Sequence, residues 1–565
     1  MKRSTYLLIA SVLAGCITSC SSGKRIAQHR IVTNPMNLNY RFQPKDESRR
    51  EAADPVLEYF KGYYYLFASK SGGYWRSEDL ADWEYIPCTT IPTLEDYAPT
   101  ILPIGDTLYF TTSSGKTQIF KNAHPEKDTW EAVDTKLTYR LHDPAFYSDE
   151  DGKVYMYWGC SDKDPIMGVE VDPKDGFRAL GEAKALIAHH GDKYGWEVPG
   201  KNNEEPRQGW NEGPCMLKYE GRYYLQYAAP GTQYRIYGDG IYVGDTPLGP
   251  FEYVEDNPFS FKPGGFIGGA GHGHTFRDKY GNYWHVASMI ISVRHMFERR
   301  LGLFPVAVSS RNGIYAHTVW SDYPFYIPNR KVDFDKTDLS MGWNLLSYRK
   351  PVQASSSLAG YEPGNANDEQ IETWWAAQTG KKGEWLQVDL ETPMLVNSIH
   401  VNFADHHFKV FAPHPPVVYQ FFIEGSADGK KWMNLFDERE NGKDEPHRLF
   451  TLDKPVKVRY LRICNAKEMA GCFSLSGFRV FGKGEGAAPS KVTGFRAIRN
   501  SEDKRMFRFT WDAQKGATGY VLRWGTQKDK LTHAVMVFEN QYEARYFNRD
   551  SEYYFSITAF NENGN

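Results

Sequence analysis

Three acidic residues stand at the same place in repeated segments of the chain, and converging carboxylates are what cleavage of a glycosidic bond requires. Asp54 opens the run Asp54-Pro55-Val-Leu-Glu-Tyr-Phe, Asp143 opens Asp143-Pro144-Ala-Phe-Tyr-Ser-Asp, and Glu212 opens Glu212-Gly213-Pro214-Cys-Met-Leu-Lys-Tyr. A single Asp-Pro is an ordinary turn starter. Three acids at matched positions are harder to dismiss. One acid can protonate the leaving oxygen while another carboxylate acts on the sugar or on a water. A third negative charge nearby raises the acid's pKa, because like charges resist joint ionisation, and so keeps it protonated near neutral pH.

The elements that must position these acids repeat as well. Ala98-Pro99 heads a further copy and Gly271-His272-Gly273-His274 heads a fifth one without the proline. Each copy reads as a short strand, a polar turn with glycine and an alternating aromatic strand, which is the pattern of a β-hairpin. The first three prolines, Pro55, Pro99 and Pro144, are 44 and 45 residues apart. A unit repeating at this period with Tyr- and Trp-rich strands predicts propeller blades, here five. A β-sandwich followed by unrelated hairpins would not start every hairpin on the same dipeptide position. In a propeller the innermost strands line a central channel, so equivalent residues of different blades meet at one end of it.

Composition narrows the function. The 565 residues carry 67 Lys+Arg against 70 Asp+Glu, with no long basic run, so the footprint of a nucleic-acid binder is missing. The 37 Tyr, 33 Phe and 15 Trp fit packed β-structure, sugar-stacking surfaces, or both. Lys2-Arg3 and the apolar run from Tyr6 to Leu13 form a secretory signal too short to span a bilayer. Residues 21–50 are polar and basic and read as a linker. Among the remaining cysteines, Cys464 and Cys472 alone are close enough in sequence to suggest a bridge, and small buried thiols suit the scattered set equally.

Several of these segments resemble known families. Ala53-Asp54-Pro55, His142-Asp143-Pro144 and Glu212-Gly213-Pro214, with Ser77-Glu-Asp-Leu-Ala-Asp-Trp83 and Glu298-Arg-Arg-Leu-Gly-Leu-Phe-Pro305, are similar to glycoside hydrolase family 43 over residues 50–328. Leu13-Ala-Gly-Cys16 resembles a lipobox and Ile17-Thr-Ser-Cys20 a looser one, which implies a lipid anchor on Cys16 or Cys20 in a bacterial envelope, facing the outer surface or the periplasm. Asn367-Asp368, Thr373-Trp-Trp-Ala376, Trp385-Leu-Gln-Val-Asp-Leu390 and Ser474-Leu-Ser-Gly-Phe-Arg-Val-Phe-Gly482 resemble a discoidin, or coagulation factor V/VIII type C, domain. Phe509-Thr-Trp511, Gly519-Tyr-Val-Leu-Arg-Trp524 and the strand after Tyr553 resemble a fibronectin type III sandwich that would turn into one more strand at Asn565.

The fold class expected is therefore all-β: a five-bladed propeller over 51–330, a discoidin-like jelly-roll sandwich over 340–483 that binds carbohydrate, and a small immunoglobulin-like sandwich over 488–565. The family resemblance implies Asp54 as general base, Glu212 as general acid and Asp143 as the residue that tunes the acid, with inversion at the anomeric carbon. Retaining five-bladed relatives carry Asn-Asp-Pro, Arg-Asp-Pro and Glu-Cys, patterns from which Ala53, His142 and Gly213 depart. Arg300 resembles the family arginine that bonds the sugar, and adjacent Arg299 leaves that register open by one. Trp75, Tyr97 and His142 are further residues placed around the sugar. His272 or His274 is the histidine expected at the channel centre, near a calcium ion or water, and Asp368 is a position for structural calcium in the discoidin-like part. No cofactor is required. The partner expected is a plant cell-wall polysaccharide or oligosaccharide, with the membrane reached only through the lipid. Removal of terminal α-L-arabinofuranose heads the readings, beside β-xylosidase, β-galactofuranosidase, exo-galactanase or a non-catalytic glycan-binding lipoprotein. The insertion from Glu182 to Trp210 is expected to shape the pocket.

Overall fold

The computed structural model describes residues 30–45, 47–309 and 313–565, and contains no α-helix among them. The signal segment, with Cys16 and Cys20, lies outside the described residues. Five antiparallel sheets form the first part of the chain. The innermost strands are Val56–Phe60, Tyr97–Ile104, Ala145–Ser148, Asn211–Tyr219 and Gly268–Arg277. Each packs against the next, and the fifth packs against the first, so the blades close into a ring around a channel. Alternation drives the assembly: in Tyr63–Phe67 four of five residues are buried, and such strands wedge rings between neighbouring blades.

The stretch preceding Asp54 departs from the expected linker. Arg30–Val32 pairs with Phe325–Ile327, and Met36, Leu38, Tyr40 and Phe42 are all buried. These four apolar residues alternate with polar ones, a period of two that suits a half-buried extended chain, and this alternation outweighs the basic composition of the segment.

Residues 344–483 form a second body with one eight-stranded sheet. Its two 19-residue strands, Trp385–Phe403 and His447–Asn465, change register at bulges and wrap around a core of Trp375, Leu386, Val401, Phe403 and Phe478. The third body is a small sandwich of two three-stranded sheets closed over Phe507, Phe509, Trp511, Leu522 and Trp524. All five described cysteines are free thiols, Cys464 and Cys472 included.

The third body folds back onto the propeller. Its seat is the middle of the 182–210 insertion: Gly195 donates its N–H to the Phe547 carbonyl at 3.1 Å, and Asn548 donates to the Glu255 carbonyl at 2.9 Å. A Cβ on Gly195 would come within 2.1 Å of the Arg545 carbonyl and 2.7 Å of the Phe547 carbonyl. Gly195→Ala should therefore loosen this seat, and hydrogen exchange should speed up in peptides covering 190–198 and 545–549. Unchanged exchange there would show that the contact tolerates a methyl group.

Candidate active site

At the head of every inner strand one residue takes a left-handed backbone: Asp54 at φ 49°, Ala98 at 49°, Asp143 at 50°, Gly213 at 59° and His272 at 46°. Aspartate and histidine tolerate this region better than most side chains. The five residues are the true equivalents around the ring. Glu212 stands one position earlier than Asp54 and Asp143, on the strand Asn211–Tyr219, whose register shifts between Glu212 and Cys215. Its longer side chain still reaches the same place. Oxygens of Asp143 and Glu212 and the Cys160 sulfur lie within 4.8 Å of one another.

Serines hold these turns. Ser288 Oγ accepts the Asp54 N–H at 2.8 Å, Ser69 Oγ accepts the Ala98 N–H at 2.7 Å, and Ser113 Oγ accepts the Asp143 N–H at 2.6 Å. Each belongs to the blade before the turn it holds. Ser69 also donates to Asp54 Oδ2 at 2.6 Å, and Ser113 donates to Asp143 Oδ1 at 3.1 Å. In the fifth turn Asp239 takes the serine's part, accepting the N–H groups of His272 and Gly273 at 2.6 and 2.9 Å. Ser69 and Ser113 are 44 residues apart, the same interval as Pro55 and Pro99, so the repeat itself carried the signal that could have found them.

The side chains set up unequal electrostatics. Asp54 Oδ1 lies 3.0 Å from Arg299 Nη1 and 3.4 Å from His272 Nδ1. Burial alone would raise the Asp54 carboxyl, but Arg299, His272 and Ser69 hold it below the usual carboxylate range. Asp143, 3.7 Å from the same His272 nitrogen, is pushed up to about 7, first by burial; His272 and Ser113 oppose this while Glu212 and Asp54 add to it. Burial disfavours the His272 cation, yet the surrounding Asp54, Asp143, Glu212 and Asp239 keep its pKa above the ordinary value. Glu212 receives two donors, Tyr237 Oη on Oε1 and Cys160 Sγ on Oε2 at 3.2 Å. Neither Tyr237 nor Cys160 follows from the acid repeat.

Other expected site residues divide. Arg299, not Arg300, faces Asp54: adjacent strand residues point to opposite faces, and Arg300 instead donates from Nε to His447 of the second body at 2.9 Å. Trp75 is buried, donating from Nε1 to Asn39 at 2.7 Å inside the blade-one core, so it offers no stacking face. It belongs to a third strand, not an inner one. Tyr97 is half-buried with its ring 5.6 Å from that of Phe297, and His142 is exposed beside Asp143. His272 and His274 separate because the strand bulges between Gly271 and His274, which undoes the usual rule that residues two apart share a face.

A calcium ion bound directly by His272 does not fit, since its Nδ1 and the two carboxylates are already in mutual contact with the Arg299 cation alongside. His274 fits better. Its Nδ1 is buried without a partner, and its Nε2 is 3.6 Å from Glu58, whose carboxyl is pushed up to about 8 by burial. Asp368 is engaged locally, accepting from Gln370 N at 3.0 Å and Thr373 Oγ1 at 2.6 Å.

Comparison with known proteins finds two family matches. Residues 48–309 match the model of glycosyl hydrolases family 43, and residues 351–475 match that of the F5/8 type C domain. A curated β-D-galactofuranosidase of Aspergillus niger is 24% identical over 234 residues, 35% of this chain. The chain spans 62% of the length of that relative. Among solved structures, a glycoside hydrolase is 19% identical with a TM-score of 0.45, covering 76% of this chain and 97% of its own. A family 43 protein of Bacillus licheniformis is 17% identical with a TM-score of 0.40 over 95% and 97% of the two chains. An arabinoxylan arabinofuranohydrolase of Bacillus subtilis is 15% identical with a TM-score of 0.38 over 76% and 95%.

Gly213 explains the Glu-Gly-Pro sequence: a Cβ there would lie 2.6 Å from the His272 ring, at a φ that costs an L-residue about 1–2 kcal/mol. Gly213→Ala should lower the melting temperature and displace His272 from between Asp54 and Asp143. A variant with wild-type stability and an unmoved imidazole in its crystal structure would contradict this packing.

Proposed function

From a chain whose residues 48–309 form a family 43 glycosyl hydrolase domain, we infer an exo-acting glycosidase that inverts the anomeric centre in one step. The observation that carries the reading is the gathering of Asp54, Asp143 and Glu212 around His272, with the Asp54 carboxyl held down and that of Asp143 pushed up. Asp54, held ionised by Arg299 and His272, is the general base that takes a proton from water as it attacks the anomeric carbon. Glu212 is the general acid at the glycosidic oxygen. Asp143, within 4.8 Å of it and pushed up to about 7, first by burial, is the neighbour that tunes it. Tyr237 and Cys160 orient the Glu212 carboxyl.

A calcium ion, if bound here, would be held by His274 and Glu58 and would supply fixed positive charge to the site. The second body is proposed to bind carbohydrate. The 3+3 strand pattern of the third supports a fibronectin type III-like reading. A lipid on Cys16 or Cys20 would tether the enzyme to a bacterial envelope.

Terminal α-L-arabinofuranose on plant polysaccharide side chains is the sugar we place first. The Aspergillus niger relative favours β-D-galactofuranose as the second reading. The two sugars share the stereochemistry of the furanose ring and differ in the exocyclic carbons, so nitrophenyl glycosides of both measure how much room the pocket leaves. Xylosides and galactans complete the panel, and no turnover on any of them or on plant polysaccharides would favour a glycan-binding protein.

Two outcomes check the roles. Asp54→Asn should lower turnover by on the order of 10²–10⁴ without loss of fold, and Glu212→Gln should do so on polysaccharide but far less on activated aryl glycosides, which need no protonation. Equal losses on both substrates would remove Glu212 from the acid role. The pH profile of kcat/KM should fall on the alkaline side near 7, where Asp143 gives up its proton, and on the acid side only below the usual carboxylate range, where Asp54 takes one up. An acid limb at or above pH 5 would contradict the base assignment.

A further inference from the structure

The propeller and the second body meet along a line of charged residues whose chain neighbours reach the active site. Arg50 is fully buried and is bound entirely by its own backbone surroundings and the second body: Nε to Asp405 at 2.8 Å, Nη1 to Asp444 at 2.9 Å, and Nη2 to the Tyr419 hydroxyl at 2.9 Å. The next residue, Glu51, turns the other way and accepts from Arg299 Nη2 at 3.0 Å. The same alternation recurs on the fifth blade. Arg300 donates to His447 Nε2 and to the Arg50 carbonyl, both at 2.9 Å, while Arg299 turns to Glu51, Asp54 and Thr232. His447 is itself fixed by Asn402 at 2.9 Å on Nδ1. A third anchor lies in the loop before this strand, where Arg294 pairs with Glu298 at 2.9 Å and donates to the Ala404 carbonyl.

We propose that Asp405, Asp444 and His447 of the discoidin-type body are positioning residues for the active site, clamping Arg50 and Arg300 so that Glu51 and Arg299 are presented to Asp54. The second body is then a working part of the catalytic apparatus and not an interchangeable module on a tether. Breaking one clamp leaves a buried guanidinium uncompensated, which is costly enough to shift the local backbone. A shift of even 1 Å in a charged group beside the reacting atoms is enough to lower a rate about a hundredfold. The groups facing Asp54 are Arg299, His272, Ser69 and Ser288, with Asp143, Glu212 and Glu51 around them. Of these, Arg299 and Glu51 are tied through their chain neighbours, Arg300 and Arg50, to the second body.

The inference rests on the glycosidase reading, and its test uses the full chain. His447→Ala should lower kcat ten- to a hundredfold with little change in KM, and should move the acid limb of kcat/KM upward, because Asp54 loses part of its cationic partner. His447→Gln, which again offers Arg300 an acceptor, should restore most of both. Asp405→Asn is the second variant, nearly isosteric, should His447→Ala fail to fold. A folded variant with the wild-type kcat and acid limb would overturn the proposal. A crystal structure of either variant provides a readout that needs no substrate: Arg299 displaced from Asp54 supports the proposal, and Arg299 still 3.0 Å from both Glu51 and Asp54 overturns it. An inactive wild-type chain would count against the glycosidase reading alone.

Discussion

Where each inner strand begins, the chain passes one residue through the left-handed region, and the N–H of that residue is tied to the neighbouring blade in at least four of the five cases. For a residue other than glycine such a conformation costs roughly 1–3 kcal/mol, so it survives only where its surroundings over-determine it. Ring closure supplies the surroundings. A serine or aspartate of one blade fixes the turn of the next, and the fifth blade fixes the first through Ser288 and Asp54. The mouth of the channel is thus a cyclic hydrogen-bonded frame, and Asp54, Asp143 and His272 are three of its five corners.

Within that frame identical side chains acquire different proton affinities. Asp54 and Asp143 have the same backbone conformation, similar burial and a serine each, yet one is held down and the other is driven up to about 7. Arg299 makes the difference: it contacts Asp54 and not Asp143, which has Glu212 for a neighbour instead. The imidazole of His272, midway between the two aspartates, keeps their charges compatible. Unequal environments thus give one motif two proton affinities, the general route by which neighbouring carboxyls are set to different tasks.

Much of this frame was legible in the sequence, because a repeat of 44 to 45 residues marks equivalent positions whatever the side chain. Asp54, Asp143 and the five-bladed ring follow from it, and Glu212 to within one position. The single-residue registers do not. Arg299 and Arg300 are the same residue type on a strand, equally buried, and only what each face packs against decides which enters the site. His272 and His274 should share a face, but a bulge, invisible in the residue types, parts them. Trp75 is a large aromatic in the right blade on the wrong strand. The stretch from Met36 to Phe42 looks like a spacer by composition, and its alternate residues are part of the core. Tyr237 and Cys160 come from outside the repeated dipeptide and meet Glu212 only when its sheet forms, Cys160 as its cross-strand partner and Tyr237 just before the strand Gly238–Gly244.

The proposed mechanism turns on one geometry, in which a water held by Asp54 attacks the face of the sugar opposite Glu212 in a single displacement. The most direct measurement is proton NMR of the hydrolysis as it proceeds, read before mutarotation scrambles the product. The account predicts that the first sugar released has the anomeric configuration opposite to that of the glycoside. A product of retained configuration would require a covalent intermediate, and would contradict the assignment of Asp54 as a base acting on water.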